Sequence, residues 1–292
     1  MQHATLPIVV LHGSLGLCLN FIDLTRRNVG QDLTLALIFA AIMNANVSYL
    51  DNDPETSSRW AGFALDFPEQ LRRPIRATRL AESLGLPRET TRTKIRQLVE
   101  TGWAHMSDGG VVVRTEAFYN DRGIKQLEDS IQSFGGFLAS LAYAEACDLY
   151  RGERLAEPSD PIAWAAIRMA THHVLQTQHD ARVALGCDSL AEEFILLSVM
   201  HDFTSDLMAG RSPVPTAAVN LAESLMMPRE TTRRHVNGLI AKGHLIREVD
   251  GVLISPNLFG REELRDVGQT VNVSIRRMVR RLRLIGALVH PG

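Results

Sequence analysis

Residues 80–92 read LAESLGLPRETTR, and residues 221–233 read LAESLMMPRETTR. The two stretches start 141 positions apart and differ only at two adjacent positions. The alignment continues at the same offset, without a gap, over residues 74–113 and 215–254. Chance does not produce identity of this kind. We therefore interpret the chain as containing an internal repeat, and this repeat governs the interpretation of the remaining sequence.

Each copy of the repeat predicts two short helices joined by a tight turn. Pro74 and Pro215 are expected in the first turn of the first helix, where a proline loses no hydrogen bond. The second helix is expected to start at Pro87 and Pro228, with a glutamate in its first turn and a glycine after its end. Its inner face is predicted from residues at helical spacing: Thr91, Ile95 and Leu98 in the first copy, and Thr232, Val236 and Leu239 in the second.

A β-hairpin is predicted after each second helix. In the first copy, residues 104–106 and 111–113 are β-prone runs around an Asp-Gly-Gly sequence. In the second copy, residues 245–247 and 252–254 flank Asp250-Gly251, a dipeptide that suits a type I′ turn. Two helices with a sharp turn between them, followed by a two-stranded wing, constitute a winged helix-turn-helix.

Long helices are predicted on both sides of each motif. An apolar helix precedes it, at residues 33–49 and 191–208, and a long helix follows it, at about residues 121–149 and 261–288. The predicted fold is therefore mainly α with small β-wings. It consists of two winged helix-turn-helix modules with flanking long helices, arranged as a single-chain pseudo-dimer.

The repeat also predicts the domain boundaries. Residues 1–150 are expected to form the first domain and residues 161–292 the second, joined by a polar linker at residues 151–160. The first copy carries about 17 additional residues ahead of its motif, which include the aromatic residues Trp60, Phe63 and Phe67. An effector pocket and ordinary core packing are the alternatives for these aromatic side chains, and core packing is favoured.

The second helix of a helix-turn-helix enters the major groove of DNA, where its outward residues meet the base edges. Arginine can donate two hydrogen bonds to guanine, asparagine can pair with adenine, and threonine can contact a phosphate or a thymine methyl group. The sequence predicts these DNA-binding residues: Arg88, Thr90, Thr91, Arg92, Thr93 and Arg96 in the first copy, and Arg229, Thr231, Thr232, Arg233, Arg234 and Asn237 in the second. Glu89 and Glu230 either accept from a cytosine amino group or interact only with the helix dipole.

An arginine-rich helix face can also be an ordinary solvent-exposed surface without a binding partner. The repeated hexapeptide PRETTR argues against it, because core packing does not require identical exposed residues. A shared partner surface does require them, although a recent duplication would also leave them identical.

Further cations lie near the repeat. Phosphate contacts are predicted for four arginines that lead into the first copy: Arg72, Arg73, Arg76 and Arg79. The wing tips are acidic, so strong minor-groove contacts are not expected from them. The last helix is rich in arginine, which either pairs with acidic side chains or reaches the DNA backbone: Arg276, Arg277, Arg280, Arg281 and Arg283.

Residues 80–92, followed by Leu98 and Gly102, resemble bacterial winged-helix regulators of the GntR and MarR kind. The resemblance covers about 40 residues in each half. The order of helix, winged motif and helix is similar to that of MarR-type subunits, whose outer helices form the dimer. The resemblance implies a transcription regulator of double-stranded DNA. Those families usually work as two chains, whereas this chain carries both modules; a homodimer and an effector of unidentified chemistry stay open.

The composition is typical of a globular protein. Three cysteines without C-x-x-C spacing argue against a disulfide framework and fit a reducing cytosol. No stretch approaches the 18 uncharged apolar residues of a membrane span, and no basic region precedes the apolar N-terminal run. We therefore expect neither a membrane partner nor a signal peptide. The net charge of −2 means that any basic surface must be local.

Two further motifs are given less weight. Residues 11–16, LHGSLG, are similar to an oxyanion loop of α/β-hydrolases, but the sequence has no G-x-S-x-G elbow, so we expect no enzymatic activity. The segment is expected to be a terminal strand or helix. A group of polar residues suggests a metal site, but it lacks an H-x-x-x-H pair, and polar helix surface is favoured: His172, His173, His179, His201 and Asp202. No cofactor is predicted, because phosphate-binding fingerprints are missing from the sequence.

The sequence thus predicts a cytoplasmic, nucleoid-associated transcription regulator that binds duplex DNA specifically. Its two recognition helices would read two related half-sites. An architectural DNA-binding protein and a winged-helix protein-interaction module are the alternative functions.

Overall fold

The protein is described by a computed structural model that covers residues 8–60, 67–114, 116, 121–143, 153–155 and 162–289. In this part of the chain it is mainly α-helical, with three antiparallel sheets of two strands each. The coarse prediction of a mainly α fold with small β elements is confirmed.

The described elements of the first half follow a simple order. Short 3₁₀ turns at Ser48–Asn52 and Glu69–Leu71 flank α3. The helices and strands are α1 (Ile8–Val29), α2 (Leu33–Val47), α3 (Pro54–Arg59), α4 (Ala77–Leu84), α5 (Arg88–Glu100), β1 (Ala104–Ser107), β2 (Gly110–Val113) and α6 (Asp121–Tyr143).

The second half repeats this order, apart from α3 and two added short strands. A 3₁₀ turn at Pro256–Leu258 precedes its last helix. The helices and strands are β3 (Arg154–Leu155), α7 (Ala163–Leu185), α8 (Leu190–Met208), α9 (Ala218–Ser224), α10 (Arg229–Ala241), β4 (Leu245–Glu248), β5 (Gly251–Ile254), α11 (Glu262–Leu284) and β6 (Leu288–Val289).

Matching signals delimit the first two helices of each half. α1 ends before Gly30 and α7 before Gly186, and both glycines have a positive φ. The side chains of Asp32 and Ser189 accept hydrogen bonds from the backbone N–H three residues later, which caps α2 and α8. α2 and α8 are the predicted apolar helices. α1 resolves the choice between a strand and a helix in favour of a helix. α7 contains His172, His173 and His179, for which a helix was expected without bounds.

Helix α2 lies in the hydrophobic core. Its six side chains from Leu35 to Ala40 are each at most 1% exposed. The helix contacts α1, α5, α7 and β2, so no side of it is left to solvent over this stretch. A helix that is hydrophobic all round is a buried helix.

Two helical stretches are long and apolar enough to cross a membrane by length and composition. They are α1 and the stretch Leu33–Asn52, with mean hydropathies of 1.6 and 1.7. The expectation that no stretch approaches a membrane span is therefore wrong as a statement about composition. In the structure, 67% of the apolar window in the second stretch is buried, as it is in the core helix of a globular protein.

Each half contains a compact unit of two helices and a hairpin, which we call the first unit (residues 75–113) and the second unit (residues 216–254). The hairpins pair in the same register, with Ala104 opposite Val113 and Leu245 opposite Ile254. The predicted inner faces of α5 and α10 are confirmed. Their aliphatic members are at most 5% exposed: Ile95, Leu98, Val236 and Leu239.

Pro74 and Pro215 precede the first helix of each unit instead of opening it. α4 and α9 begin three residues after these prolines. The residue after each proline forms an antiparallel bridge to the second strand of its hairpin, as Ile75 does with Val111. The backbone groups at this point are bonded to the hairpin, so the predicted helix start is wrong.

The predicted type I′ turn does not account for the glycines of the hairpins. The second hairpin turns through Val249 and Asp250, and a type I′ turn would require positive φ at both. Among the described non-glycine residues only Met226 has a positive φ, so the type I′ prediction is wrong. A Cβ on Gly110 or Gly251 would instead collide with the backbone of the segment that bridges the hairpin.

A buried arginine from each half holds the unit of the other half. Nη2 of Arg26, in α1, donates to the carbonyl oxygen of Leu225 at 2.6 Å. Nη2 of Arg182, in α7, donates to the carbonyl oxygen of Leu84. Leu84 and Leu225 occupy equivalent positions of the repeat, at the end of the first helix of each unit. The two halves are therefore joined by a reciprocal pair of contacts.

The additional segment of the first half packs against α7. The rings of Trp60 and Phe67 meet edge to face with centroids 5.2 Å apart. Arg168 and Asp51 form a buried ion pair, with 2.6 Å between Nη2 and Oδ1. Core packing is confirmed for Trp60 and Phe67, while Phe63 lies outside the described residues.

Part of the predicted linker is anchored to the rest of the protein. β3 pairs with β6, and Oε1 of the buried Glu153 accepts a hydrogen bond from Nε of Arg283 at 2.8 Å. Residues 153–155 are therefore not a free linker, and the remainder of residues 151–160 lies outside the described part. α11 ends before the predicted residue 288, because the chain turns at Gly286 to enter β6.

Candidate nucleic-acid interface

The outward faces of α5 and α10 carry the same side chains over the first five helical positions, residues 88–92 and 229–233. Both helices begin directly after a proline, and both turn their aliphatic side into the core. We call the outward sides the first and second exposed faces. The predicted site residues that are exposed there are Arg88, Arg92, Thr93 and Arg96 on the first, and Arg229, Arg233, Arg234 and Asn237 on the second; Thr90 and Thr231 are half-buried.

The repeated arginines form the same ion pairs in both units. The pairs and their N–O distances are Arg88–Glu82 at 3.2 Å, Arg92–Glu89 at 2.7 Å, Arg229–Glu223 at 3.2 Å and Arg233–Glu230 at 2.6 Å. The hydrogen bond from Arg233 lowers the pKa of the Glu230 carboxyl. Every one of these side chains is at least 55% exposed, and exposed ion pairs contribute little to stability. An incoming phosphate or base can therefore take the place of the glutamates at small cost.

Thr91 and Thr232 do not belong to the exposed faces. Both are fully buried, and each Oγ1 donates to the carbonyl oxygen of the proline four residues earlier at 3.2 Å. Their assignment as DNA-binding residues is wrong, because these side chains point into the unit. Helical spacing, which places both threonines on the predicted inner faces, was the signal against this assignment.

The exposed faces differ after the shared hexapeptide. Lys94 donates to Asp32 at 2.9 Å, whereas its counterpart His235 lies 3.8 Å from a carboxylate of α8. Oδ1 of Asn237 accepts a hydrogen bond from Arg247 of β4 at 2.6 Å. Sequence reasoning missed Arg247. Arg247 shares its strand face with the buried Leu245, so strand alternation gave no signal for it.

The four arginines ahead of the first unit are not equivalent. Arg72 is only 7% exposed, and its guanidinium lies 5.3 Å from the ring centroid of Phe67. Its prediction as a phosphate contact is wrong for that reason. Arg73 is exposed, and its guanidinium carbon lies 3.9 Å from the ring centroid of Tyr49. Arg76, directly before α4, and Arg79, in its first turn, are also exposed.

The hairpin tips carry acidic side chains, as expected. Asp108, Glu248 and Asp250 are all exposed. Val249 stands between the latter two and is 98% exposed. The tips therefore offer no cation for a minor groove.

The arginines of α11 have different surroundings. Arg283 pairs with the buried Glu153, so it has a structural partner. Nε of Arg276 donates to Asn272 at 3.2 Å on the same helix. Arg277 and Arg280 are exposed.

The histidines are dispersed through the helical body. The rings of His201 and His12 are stacked with their centroids 4.4 Å apart. Nδ1 of the buried His173 lies 2.8 Å from Oγ of Ser274. Burial lowers the pKa of His173 to about 4. No group of three or more metal-ligating side chains occurs within the part of the chain that the structure describes.

The segment that is similar to an oxyanion loop lies inside α1. Its glycines allow close helix packing. A Cβ on Gly13 would collide with Ser140 of α6, and one on Gly16 would approach His201 of α8 to 3.3 Å. Helix packing therefore accounts for this motif.

No family model matches the chain, and no curated protein or solved structure matches it either.

Proposed function

We propose that this protein binds a specific sequence of duplex DNA and regulates transcription there. The observation that carries the proposal is the repetition of identical exposed side chains at identical positions of α5 and α10. Folding does not require outward residues to match. A partner that presents the same chemical surface twice does require it, and two related DNA half-sites are such a partner.

The proposed fold-level account is a duplicated winged helix-turn-helix that forms a single-chain pseudo-dimer. The reciprocal contacts of Arg26 with Leu225 and of Arg182 with Leu84 support it. In a two-fold interface, residue i contacts j while j contacts i, and this exchange has that form. The repeated order of helices and hairpins gives further support.

In this account α5 and α10 are the recognition helices. Arg88, Arg92, Arg229 and Arg233 would leave their glutamates to bind guanine edges or phosphates. Arg73, Arg76 and Arg79 would contact phosphates near the first half-site only. The proposed setting is the cytoplasmic nucleoid, with no membrane partner.

The first test is selection of duplexes from a random library by the full chain, followed by fluorescence anisotropy. We expect an enriched sequence that binds at least a hundred-fold more tightly than its scrambled version at physiological salt. The logarithm of affinity should fall with the logarithm of salt by about 0.9 for each phosphate neutralised.

The second test removes one arginine from each exposed face. Arg88→Ala with Arg229→Ala should weaken binding of the selected duplex at least ten-fold, since each base-reading arginine contributes about 1–3 kcal/mol. The control, Arg59→Ala with Lys125→Ala, removes two exposed cations from α3 and α6 and should leave affinity within two-fold.

Equal affinity for selected and scrambled duplexes would favour an architectural DNA-binding protein. Normal binding by the arginine double variant would remove both exposed faces from the mechanism. Absence of any DNA binding would leave a protein-interaction module as the better account.

A further inference from the structure

A cavity of about 470 Å³ lies between α1, α7, α8 and α11. Aliphatic and aromatic side chains from these four helices form most of its wall, including Leu11, Leu197, Met200 and Phe203. Its volume falls within the roughly 300–1,000 Å³ that is typical of small-molecule pockets. It is about three times the volume of an apolar cavity that holds one benzene.

Two hydroxyl groups in the wall are buried without a hydrogen bond. Ser14 is 5% exposed and Thr177 is 9% exposed, and both line the cavity. Neither Oγ of Ser14 nor Oγ1 of Thr177 has a hydrogen-bond partner among the described residues. Buried hydroxyls almost always have a partner, because leaving one unpaired costs free energy. Each of these oxygen atoms exposes less than 1 Å², so a ligand in the cavity would satisfy them once their side chains rotate toward it.

The charge of the wall restricts the chemistry of that partner. Among the described residues, Arg265 is the one charged lining residue; it is exposed, and it donates to the carbonyl oxygen of Gly260 at 3.3 Å. The remaining lining residues are uncharged. An ion placed in the cavity would lose its hydration without a buried counter-charge, so a neutral ligand is favoured.

We propose that this cavity binds a neutral, mostly apolar small molecule with one hydrogen-bonding group directed at Ser14 and Thr177. The apolar part would pack against the aliphatic wall, and the polar part would hydrogen-bond to the two hydroxyls. The site belongs to the helical body and does not depend on the proposed DNA binding.

The test uses N-phenyl-1-naphthylamine, a neutral fluorescent probe with two apolar ring systems and one N–H group. The full chain should bind one equivalent with saturable enhancement of fluorescence. Ala181→Phe fills the cavity from α7 and should abolish this binding. The control Val183→Phe makes a similar change two residues further along the same helix, where the side chain is 66% exposed, and should bind as the wild type does.

Leu11→Trp fills the cavity from α1 and provides a second test, which decides the matter if Ala181→Phe does not fold. Loss of binding in the filled variants but not in Val183→Phe supports the site. Unsaturable binding by the wild type, or equal binding by wild type and folded filled variants, would overturn it.

The polar half of the proposal is tested separately. Ser14→Ala with Thr177→Val should weaken the probe about three- to ten-fold, the value of one hydrogen bond. The same variant should melt no lower than the wild type, because it removes unpaired buried hydroxyls. Unchanged probe affinity would overturn the role of the hydroxyls. The anionic analogue 1-anilinonaphthalene-8-sulfonate should bind at least ten-fold more weakly, and tighter binding would overturn the assignment of a neutral ligand.

Discussion

Adjacent threonines in α5 show how one step along a helix changes the role of a residue. Thr90 is half-buried beside the exposed arginines, whereas Thr91 is fully buried. The hydroxyl of Thr91 donates to the carbonyl of Pro87, which is one of the backbone groups of the first helical turn. The same pair recurs as Thr231 and Thr232 in α10.

Replacing the buried threonine should therefore affect stability and not recognition. Thr91→Val should lower the free energy of unfolding by about 1 kcal/mol, because it removes one buried hydrogen bond. Urea denaturation measures this loss, and affinity for the selected duplex should stay within two-fold. Thr90→Val is the matched control, with unchanged stability. Weakened DNA binding by Thr91→Val at unchanged stability would contradict the assignment.

Glu193 is a second residue whose role depends on burial. It is fully buried in α8, with Nε of Arg182 at 4.0 Å and Gln178 nearby. Burial raises the pKa of its carboxyl to about 8, although Arg182 and Gln178 oppose the rise. The folded protein therefore binds a proton here that the unfolded chain releases above about pH 4.5.

The raised pKa predicts a loss of stability as pH increases. A carboxyl whose folded pKa lies above its unfolded pKa loses its contribution as pH rises through the folded value. Between pH 6.5 and 8 the loss should be about 2 kcal/mol. Glu193→Gln should remove this slope, whereas exposed Glu263→Gln should retain it. Burial lowers the pKa values of His172, His173 and His201, and these histidines add stability as pH rises past 6.5, so the Glu193 contribution is the difference between the wild-type and Glu193→Gln slopes. Equal slopes in Glu193→Gln and wild type would refute the assignment.

At the scale of elements, the hairpin glycines explain part of the repeat. Gly110 and Gly251 have positive φ, and their α-carbons face the backbone of the bridging segments. Gly251→Ala should therefore lower the free energy of unfolding by about 2–4 kcal/mol, through collision and backbone strain. The control Gly136→Ala, in helix α6, meets no atom within 4 Å and should stabilise by about 0.5–1 kcal/mol. Thermal melts compare the two, and a neutral Gly251→Ala would show that the close approach is not required.

The same elements show what the sequence could and could not predict. Helical spacing predicts the buried faces of α5 and α10 correctly. At a period of 3.6 residues, one set of positions brings the aliphatic side chains onto the same side of each helix. The predicted start of the first helix of each unit is too early. Proline is compatible both with a helical first turn and with an extended segment, and Pro74 precedes the segment that bridges to the hairpin. The prediction of a free linker at residues 151–160 is wrong for residues 153–155 for a similar reason. Polar composition does not reveal that β3 pairs with β6. On the candidate site, the same spacing places Thr91 on the inner face, so its assignment as a DNA-binding residue disagreed with the predicted face and the structure decides for burial.

At the scale of the whole molecule, the crossed arginines couple the halves. Arg182 holds the end of α4 in the first unit, although it belongs to the second half of the chain. Arg182→Met should leave the carbonyl of Leu84 unpaired and lower the free energy of unfolding by about 1–3 kcal/mol. Hydrogen exchange should accelerate in residues 77–100 more than in 218–241. Arg26→Met should show the opposite distribution, because its partner is Leu225. Acceleration confined to the mutated half would contradict the crossed arrangement.

The reciprocity of these contacts leads to a prediction about the DNA target. If a two-fold axis relates the two units, α5 and α10 approach the duplex in opposite directions, and the selected site should be an inverted repeat. Half-site centres should lie about one helical turn, ~10 base pairs, or a multiple apart. The shared PRETTR start should give the half-sites a common core. The half-sites should differ beyond this core, because Thr93 and Arg96 of α5 correspond to Arg234 and Asn237 of α10.

Making a differing position alike in both helices tests this arrangement more sharply than the site sequence alone. In the variant Arg96→Asn, both helices carry asparagine at this position, so the outer bases that it reads should become the same in the two half-sites, while the common core stays the same. Selection from a random library with wild type and variant measures this change, and Arg59→Ala serves as the control that should select the original site. A direct repeat would preserve the tandem units but refute the two-fold relation, because both helices would then meet the duplex in one direction. A single half-site, or two half-sites without a common core, would show that the identical residues at the start of the two exposed faces do not read the same bases.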